Sequence, residues 1–218
     1  MLNNVIVPLN SLQRYLKYGI HTHKVTKIFL LLTKKQYFCT QIMWNVKCGM
    51  WKVESGMRND ELEERVKRAV DNFMAGYGCC QSVVAAFADL YGLDDTLAKK
   101  VAAGFGGGVG RMRMMCGAVS GIVMLVGLDC GQTEGSDREG KSACYKVVQE
   151  LLAKSKEDNG SLICAEILGL EGHEKAVCHY EASPRTAEYY KTRPCAAKVE
   201  SAARIFAEYL QKVKRQKS

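Results

Sequence analysis

The chain has 218 residues, of which 25% are charged and 47% are apolar, as is ordinary for a globular protein. Its formal net charge of +8 would suit a nucleic-acid partner, but residues 1–56 hold eight basic residues against one acidic residue, leaving 23 basic and 22 acidic groups in the rest. Because the remaining 162 residues have no basic excess, we expect no nucleic-acid partner.

The ten cysteines are too sparse for a disulfide scaffold, and no CxxC pair occurs. The longest apolar run near the start, Ile28–Leu32, is too short to be the core of a secretory signal, and Lys34 and Lys35 follow it. We therefore expect a reducing, cytoplasmic environment in which thiols serve chemistry or metal binding rather than structural disulfides.

Residues 1–56 have neither sustained hydrophobic periodicity nor convincing helix caps, and the pattern changes abruptly at Met57. We interpret this segment as a basic N-terminal extension that is disordered, or as a wrongly assigned start that precedes the natural one at Met57. A helix is predicted from Asp60, where Asp60 with Glu63 resembles a capping box. Its apolar face contains Leu62, Val66, Ala69, Val70 and Phe73.

Glycines mark the limits of the next predicted helices. Cys79 follows Gly78 and begins the second helix, which Gly92 ends. Asp94 or Asp95 then caps a short third helix. Short connections between these helices are typical of a helical bundle.

A glycine-rich loop, a short cationic segment and an apolar run follow one another in residues 104–127. The apolar run, Met114–Leu128, carries no charge and predicts a buried core helix. Its 15 residues fall short of the roughly 20 that span a bilayer, so we expect no membrane span. Gly117 and Gly121 share one face of this helix and would allow another backbone to approach closely.

Three further helices complete the predicted pattern. A long helix runs from about residue 137 to 155, and its inward residues are Tyr145, Val148 and Leu152. Ser161 is the predicted N-cap of a short helix that Gly169 ends, and the last helix runs from Pro194 to about Val213. The sequence therefore predicts an all-α fold, a compact bundle of about six or seven helices with a poorly structured N-terminal extension.

Four cysteines share one kind of position, the first turn of a predicted helix after a glycine, serine or proline break. They are Cys79, Cys116, Cys164 and Cys195. Unpaired N–H groups and the helix dipole stabilise a thiolate at such a position. Spacings of 37, 48 and 31 residues exclude a local metal knuckle, so only folding could assemble a shared site. Because Arg111 and Arg113 lie close to it in sequence, Cys116 is the expected attacking thiolate.

The run CGAVSG at Cys116–Gly121 matches the CGAxxG signature of the C_GCAxxG_C_C family, whose members are small bacterial and archaeal proteins described as redox-active. The chain resembles this family from about residue 62 to 210. The resemblance places the four invariant cysteines of the family at Cys79, Cys116, Cys164 and Cys195. Gly78 and Cys80 replace the usual Asn and Ala, so this chain has an extra thiol beside the first position. Residues 57–218 would then form a helical redox domain of this type.

The residues leave three functions open. The first is a thiol-based redox protein, in which Arg111 joins the four cysteines as a catalytic residue. The second is a binding module whose four cysteines hold zinc or an iron–sulfur cluster, and the third is a structural or adaptor bundle. The candidate cofactor-binding residues are Gly106, Gly107, Gly108, Gly110 and Gly117.

The partner is equally open, because a redox partner protein, a small-molecule substrate and a homo-oligomer all fit the sequence. The glycine loop lacks GxGxxG spacing and follows a predicted helix, so it does not indicate dinucleotide binding. Geometry distinguishes the three functions: paired sulfurs favour exchange, four converging sulfurs favour a metal, and scattered sulfurs exclude both.

Overall fold

The computed structural model describes residues 58–170 and 180–215. In these ranges the backbone forms eight α-helices and no strand. They are α1 (Asn59–Met74), α2 (Cys79–Phe87), α3 (Asp95–Ala102), α4 (Gly117–Cys130), α5 (Arg138–Asn159), α6 (Cys164–Ile167), α7 (Ala187–Thr192) and α8 (Cys195–Arg215). Short 3₁₀ helices, Ala88–Tyr91 and Ala103–Phe105, follow α2 and α3. The all-α prediction is confirmed, whereas the predicted N-terminal extension and the proposed start at Met57 lie outside the described residues.

Helices α1 and α8 pack against each other and cover one side of the core. Four residues of the predicted face of α1 are buried, namely Leu62, Val66, Ala69 and Phe73. The helix begins one residue before Asp60, and the carboxylate of Glu61 rather than Glu63 accepts the backbone N–H of Arg58 at 3.3 Å. On α8, the ring of Phe206 packs edge-to-face on Phe87 of α2 with centroids 5.2 Å apart.

Helix α4 lies between α2, α5 and α8 and forms the centre of the core. It begins three residues after Met114, because the preceding backbone forms an isolated bridge instead of a helical turn. A Cβ added at Gly117 would lie 3.2 Å from the Cβ of Cys79, and one added at Gly121 would lie 2.8 Å from the Cβ of Val83. The predicted close approach at these two glycines is confirmed, and α2 is the helix that approaches.

Two details of the second half differ from the predicted pattern. Tyr145 is 59% exposed because the buried face of α5 is centred on Cys144 and Ser155, which places Tyr145 about 100° away from Cys144 around the helix. Ser161 is not an N-cap, since α6 starts after Ile163, whose N–H donates to the Ser161 hydroxyl at 2.9 Å. None of the helices in the described ranges combines the length and apolar character of a transmembrane segment.

Candidate functional site

The starts of four helices meet at one cavity of about 600 Å³. The four cysteines that the sequence places at helix starts all line this cavity, namely Cys79, Cys116, Cys164 and Cys195. Three of them are the first residues of α2, α6 and α8, and Cys116 immediately precedes α4. Folding therefore brings together four thiols that are separated by 31 to 48 residues along the chain.

The segments that precede α4 and α6 are joined by an isolated antiparallel bridge. The N–H of Cys116 donates to the carbonyl of Leu162 at 2.8 Å, and the N–H of Cys164 donates to the carbonyl of Met114 at 2.6 Å. These bonds fix the backbones of the two cysteines beside each other. The pairing links residues almost fifty positions apart, and a helical pattern in the sequence does not reveal it.

The glycine-rich loop forms one wall of the cavity. The five predicted glycines all line the cavity: Gly106, Gly107, Gly108 and Gly110 from the loop, and Gly117 from the first turn of α4. Gly76 and Gly78 line it as well. A Cβ at Gly108 would lie 2.6 Å from the Cβ of Cys164, so only glycine allows the loop to approach α6 this closely. That these glycines bind a cofactor stays a prediction.

The loop also holds three non-glycine residues in a left-handed backbone conformation. Val109, Arg111 and Arg113 have φ values of 58°, 68° and 62°. This region costs about 1–2 kcal/mol per L-residue, and such strain is concentrated at functional sites. Burial raises the pKa of Cys164, and the guanidinium of Arg113, which is itself only 7% exposed, offsets part of this rise. The unfavourable backbone thus accompanies a cation that is buried in the cavity wall.

Cys195 and Cys79 are neighbouring thiols whose ionisation is linked, because a proton held by one stabilises the thiolate of the other. Donation from Cys79 is the main cause that lowers the pKa of Cys195 to about 7, and the positive charges of Arg193, Arg185 and Arg113 lower it further against the effect of burial. The pKa of Cys79 is raised well above its usual value by the same hydrogen bond and by burial. Cys195 is therefore the favoured thiolate and Cys79 keeps its proton.

The expected low pKa of Cys116 is wrong. Burial raises the pKa of Cys116, and two backbone N–H groups in the first turn of α4 offset this only in part. Arg113 interacts with Cys164 instead, and burial still raises the pKa of Cys164 above its usual value. Arg111 lines the cavity, but its predicted catalytic role stays untested. Nearness in sequence did not indicate which thiol has its pKa affected by the arginines.

Sequence reasoning missed the basic residues of the C-terminal part of the chain. Arg185, Arg193 and Lys198 line the cavity. The guanidinium of Arg185 lies 4.5 Å from the ring centre of Tyr189 and 4.7 Å from that of Phe73, and Arg193 lies 4.8 Å from that of Tyr189. Arg193 lies two positions before Cys195, and Lys198 lies three positions after it. This spacing is the feature of the sequence that could have indicated positive charge beside Cys195.

The extra thiol, Cys80, does not reach the cavity. It is fully buried between α2 and α4, where its Sγ donates to the Sδ of Met124 at 3.5 Å. Burial raises the pKa of Cys80 to about 12. Its role is therefore to pack the core, since a thiol that keeps its proton is a poor nucleophile and ligand.

The arrangement of the side chains also bears on the alternative of a metal centre. Among residues 58–170 and 180–215, no group of three His, Cys, Asp or Glu side chains is arranged to hold a metal ion. The seven cysteines in these ranges are free thiols. The arrangement does not favour a preformed tetrahedral centre on Cys79, Cys116, Cys164 and Cys195, although these four residues share one cavity.

Comparison with known families agrees with the arrangement of the cysteines. A family model described as "Putative redox-active protein (C_GCAxxG_C_C)" matches residues 77–209, more than half of the chain and the part that contains all four cavity cysteines. No curated protein and no solved structure matches the chain. On this match, the chain belongs to the C_GCAxxG_C_C family.

Proposed function

We propose that the protein is a thiol–disulfide oxidoreductase in which Cys195 and Cys79 are the redox pair. The observation that carries the proposal is that both thiols line one cavity together with several arginines. The interaction with Cys79, and then the charges of Arg193, Arg185 and Arg113, lower the pKa of Cys195 to about 7. About half of Cys195 is then thiolate at neutral pH, against a few per cent for an ordinary cysteine. Only the thiolate attacks disulfides.

In the first step the Cys195 thiolate attacks one sulfur of a substrate disulfide. A bond forms between this sulfur and Cys195 Sγ, and the substrate S–S bond breaks. The other half of the substrate leaves as a thiolate and takes a proton from water. Cys195 is then held in a mixed disulfide and carries no negative charge.

Loss of this charge prepares Cys79 for the second step. The hydrogen bond to Cys195 is the main cause that raises the pKa of Cys79, so its proton is released more easily once Cys195 is neutral. The Cys79 thiolate attacks Cys195 Sγ, a disulfide forms between Cys79 and Cys195, and the mixed disulfide breaks. The second half of the substrate leaves as a thiolate and takes up the proton that Cys79 released. The substrate has gained two electrons and two protons, and a reducing dithiol must restore Cys79 and Cys195.

The other two cavity thiols do not take part in the exchange in this proposal. Cys116 and Cys164 keep their protons because burial raises the pKa of each. Arg113 is a positioning residue, since its charge helps to lower the pKa of Cys195 and offsets part of the effect of burial on Cys164. A structural bundle would have no use for such a buried cation beside a thiol pair.

The proposal is tested with single serine variants of the full chain, oxidised by a small disulfide and quantified by thiol counting and peptide mapping. We expect Cys195→Ser to lower the rate of substrate reduction at least a thousandfold, and Cys79→Ser to stop at the mixed disulfide. Cys130→Ser, which removes a cysteine outside the cavity, is the control and should react as wild type.

Two results would overturn this assignment. Full loss in Cys116→Ser together with normal rates in Cys195→Ser would restore Cys116 as the attacking residue. Stoichiometric zinc or iron in the anaerobically purified protein, lost in all four cavity variants, would instead favour the metal or iron–sulfur function.

A further inference from the structure

The cavity that contains the cysteines is lined by basic residues and by no acidic one. Its cations are Arg111, Arg113, Arg185, Arg193 and Lys198, and neither Asp nor Glu is found among its lining residues in the described part of the chain. The salt bridges formed within residues 58–170 and 180–215 involve none of these five. One thiolate at Cys195 cannot balance five positive charges.

Two of these cations have unused hydrogen-bonding capacity inside the protein. Arg113 is more than nine-tenths buried, and its Nε has no hydrogen-bond partner among residues 58–170 and 180–215. The Nη1 atom of Arg185 is also buried and has no partner within the same ranges. Burying an unpaired guanidinium is costly, and the thiol of Cys164 is a weak acceptor for Arg113. An anion in the cavity would supply the missing acceptors.

The arginines are also held in place before any ligand arrives. Arg185 donates to the carbonyl of Tyr77 at 3.2 Å and stacks on the rings of Phe73 and Tyr189. Arg193 stacks on Tyr189 as well. A guanidinium with a fixed plane binds a carboxylate through two parallel N–H···O bonds at little entropic cost. The cavity therefore offers preformed carboxylate sites beside the Cys195 sulfur.

We infer that the cavity selects small disulfides that carry carboxylates, with the S–S bond at Cys195 and the carboxylates on the surrounding cations, namely Arg113, Arg185, Arg193 and Lys198. This substrate class rests on the proposed function of Cys79 and Cys195. A volume of about 600 Å³ lies within the usual range for small-molecule sites, roughly 300–1,000 Å³. The electron balance is that of the exchange above, in which the anionic disulfide is reduced to two thiols and the protein dithiol is oxidised.

Three disulfides with the same S–S core test the inference: dianionic 3,3′-dithiodipropionate, neutral bis(2-hydroxyethyl) disulfide and dicationic cystamine. We expect the reduced protein to react at least tenfold faster with the dianion than with the neutral compound, and slowest with the dication. High salt should reduce the differences between the three reaction rates, because it screens the charges. Lys198→Gln should lower the ratio of dianion to neutral rates several-fold. Lys212→Gln, the same change at an exposed position of α8, should leave the ratio unchanged.

A binding measurement separates this inference from the redox proposal. Suberate has the same length as 3,3′-dithiodipropionate but no disulfide, and we expect calorimetry to detect its binding to the wild type and weaker binding to Lys198→Gln. Suberate binding without reduction of any disulfide would support the anion site and refute the redox function. Equal reduction of all three disulfides with no suberate binding would refute the anion site and leave the redox function intact.

Discussion

Helix α4 has the four cavity cysteines near its N-terminal end and two others, Cys130 and Cys144, near its C-terminal end. Cys195 at the first end and Cys130 at the second show opposite pKa shifts. At the N-terminal end, the neighbour Cys79 and the arginines lower the pKa of Cys195 to about 7. At the C-terminal end, Cys130 lies beside Cys144, and its pKa is raised to about 11 by burial, by Cys144 and by Asp129. With 14 residues the helix separates the two ends by about 20 Å. Two neighbouring cysteines therefore do not by themselves give a low pKa, since burial and the sign of the nearby charges contribute as well.

The C-terminal end of α4 is built as a packing network rather than as a charged cavity. The carboxylate of Asp129 accepts the hydroxyl of Tyr91 at 3.1 Å and that of Tyr209 at 2.5 Å. These bonds satisfy the carboxylate and raise the pKa of both tyrosines, in addition to the effect of burial. The same helix thus joins a reactive end, where thiols meet cations, to a structural end, where they meet an anion.

The largest expected difference between the ends is their rate of alkylation. At pH 7 the thiolate fraction of Cys195 exceeds that of Cys130 by more than a thousandfold, given pKa values of about 7 and about 11. The greater nucleophilicity of the more basic thiolate offsets part of this, so we expect Cys195 to react roughly 100-fold faster with iodoacetamide. Peptide mapping after short exposures measures both rates, and equal rates at pH 7 would contradict the comparison.

The pH profiles supply the internal control for this experiment. Because the pKa of Cys195 is lowered, its rate should rise through pH 7 and reach a plateau above pH 8. The rate of Cys130 should instead keep rising to about pH 11. In the denatured protein both cysteines should react with the same pH profile, with a midpoint near pH 8.5, the usual pKa of a free cysteine.

Removing the neighbouring thiol should change the two ends in opposite directions. Cys79→Ala deletes the hydrogen-bond donor that chiefly lowers the pKa of Cys195, so this pKa should rise and alkylation at pH 7 should slow about tenfold. Cys144→Ala deletes a group that raises the pKa of Cys130, so that pKa should fall. Titration of each thiol by pH-dependent alkylation measures both shifts.

A conservative variant distinguishes the hydrogen bond from a packing defect. Cys79→Ser keeps a donor of similar size, so it should raise the pKa of Cys195 less than Cys79→Ala does. Equal shifts in the serine and alanine variants would show that the hydrogen bond is not the cause.

Local sequence patterns predicted helix starts and the close helix packing at the site, but they did not predict its charge distribution. The breaks directly before Cys79 and Cys195 are encoded in Gly78 and Pro194, and the pair Gly117 and Gly121 predicted the close approach to α4. Glycine and proline restrict or free the backbone at their own positions, so these features can be predicted from neighbouring residues alone.

The expected low pKa of Cys116 was wrong because electrostatics depends on tertiary distance. Arg113 was assigned to Cys116, three residues away, but its left-handed backbone accompanies a contact with Cys164. Arg185 and Arg193 lie in a segment with no evident periodicity, and only folding brings them to the cavity. The choice between Cys116 and Cys195 depends on these charges and on burial.

The smallest expected effect comes from changing one charge at each end. Arg193→Gln removes the largest single charge contribution to the low pKa of Cys195, and because Arg193 is partly exposed, solvent screening should limit the loss of thiolate at pH 7 to about threefold. Asp129→Asn removes a negative charge near Cys130, so its pKa should fall by a similar small amount. Alkylation titrations at low and high salt measure both changes, and the difference between Arg193→Gln and wild type should shrink as salt rises. A shift of the same sign at both ends would mean that burial rather than charge sets these two pKa values, and the comparison would fail.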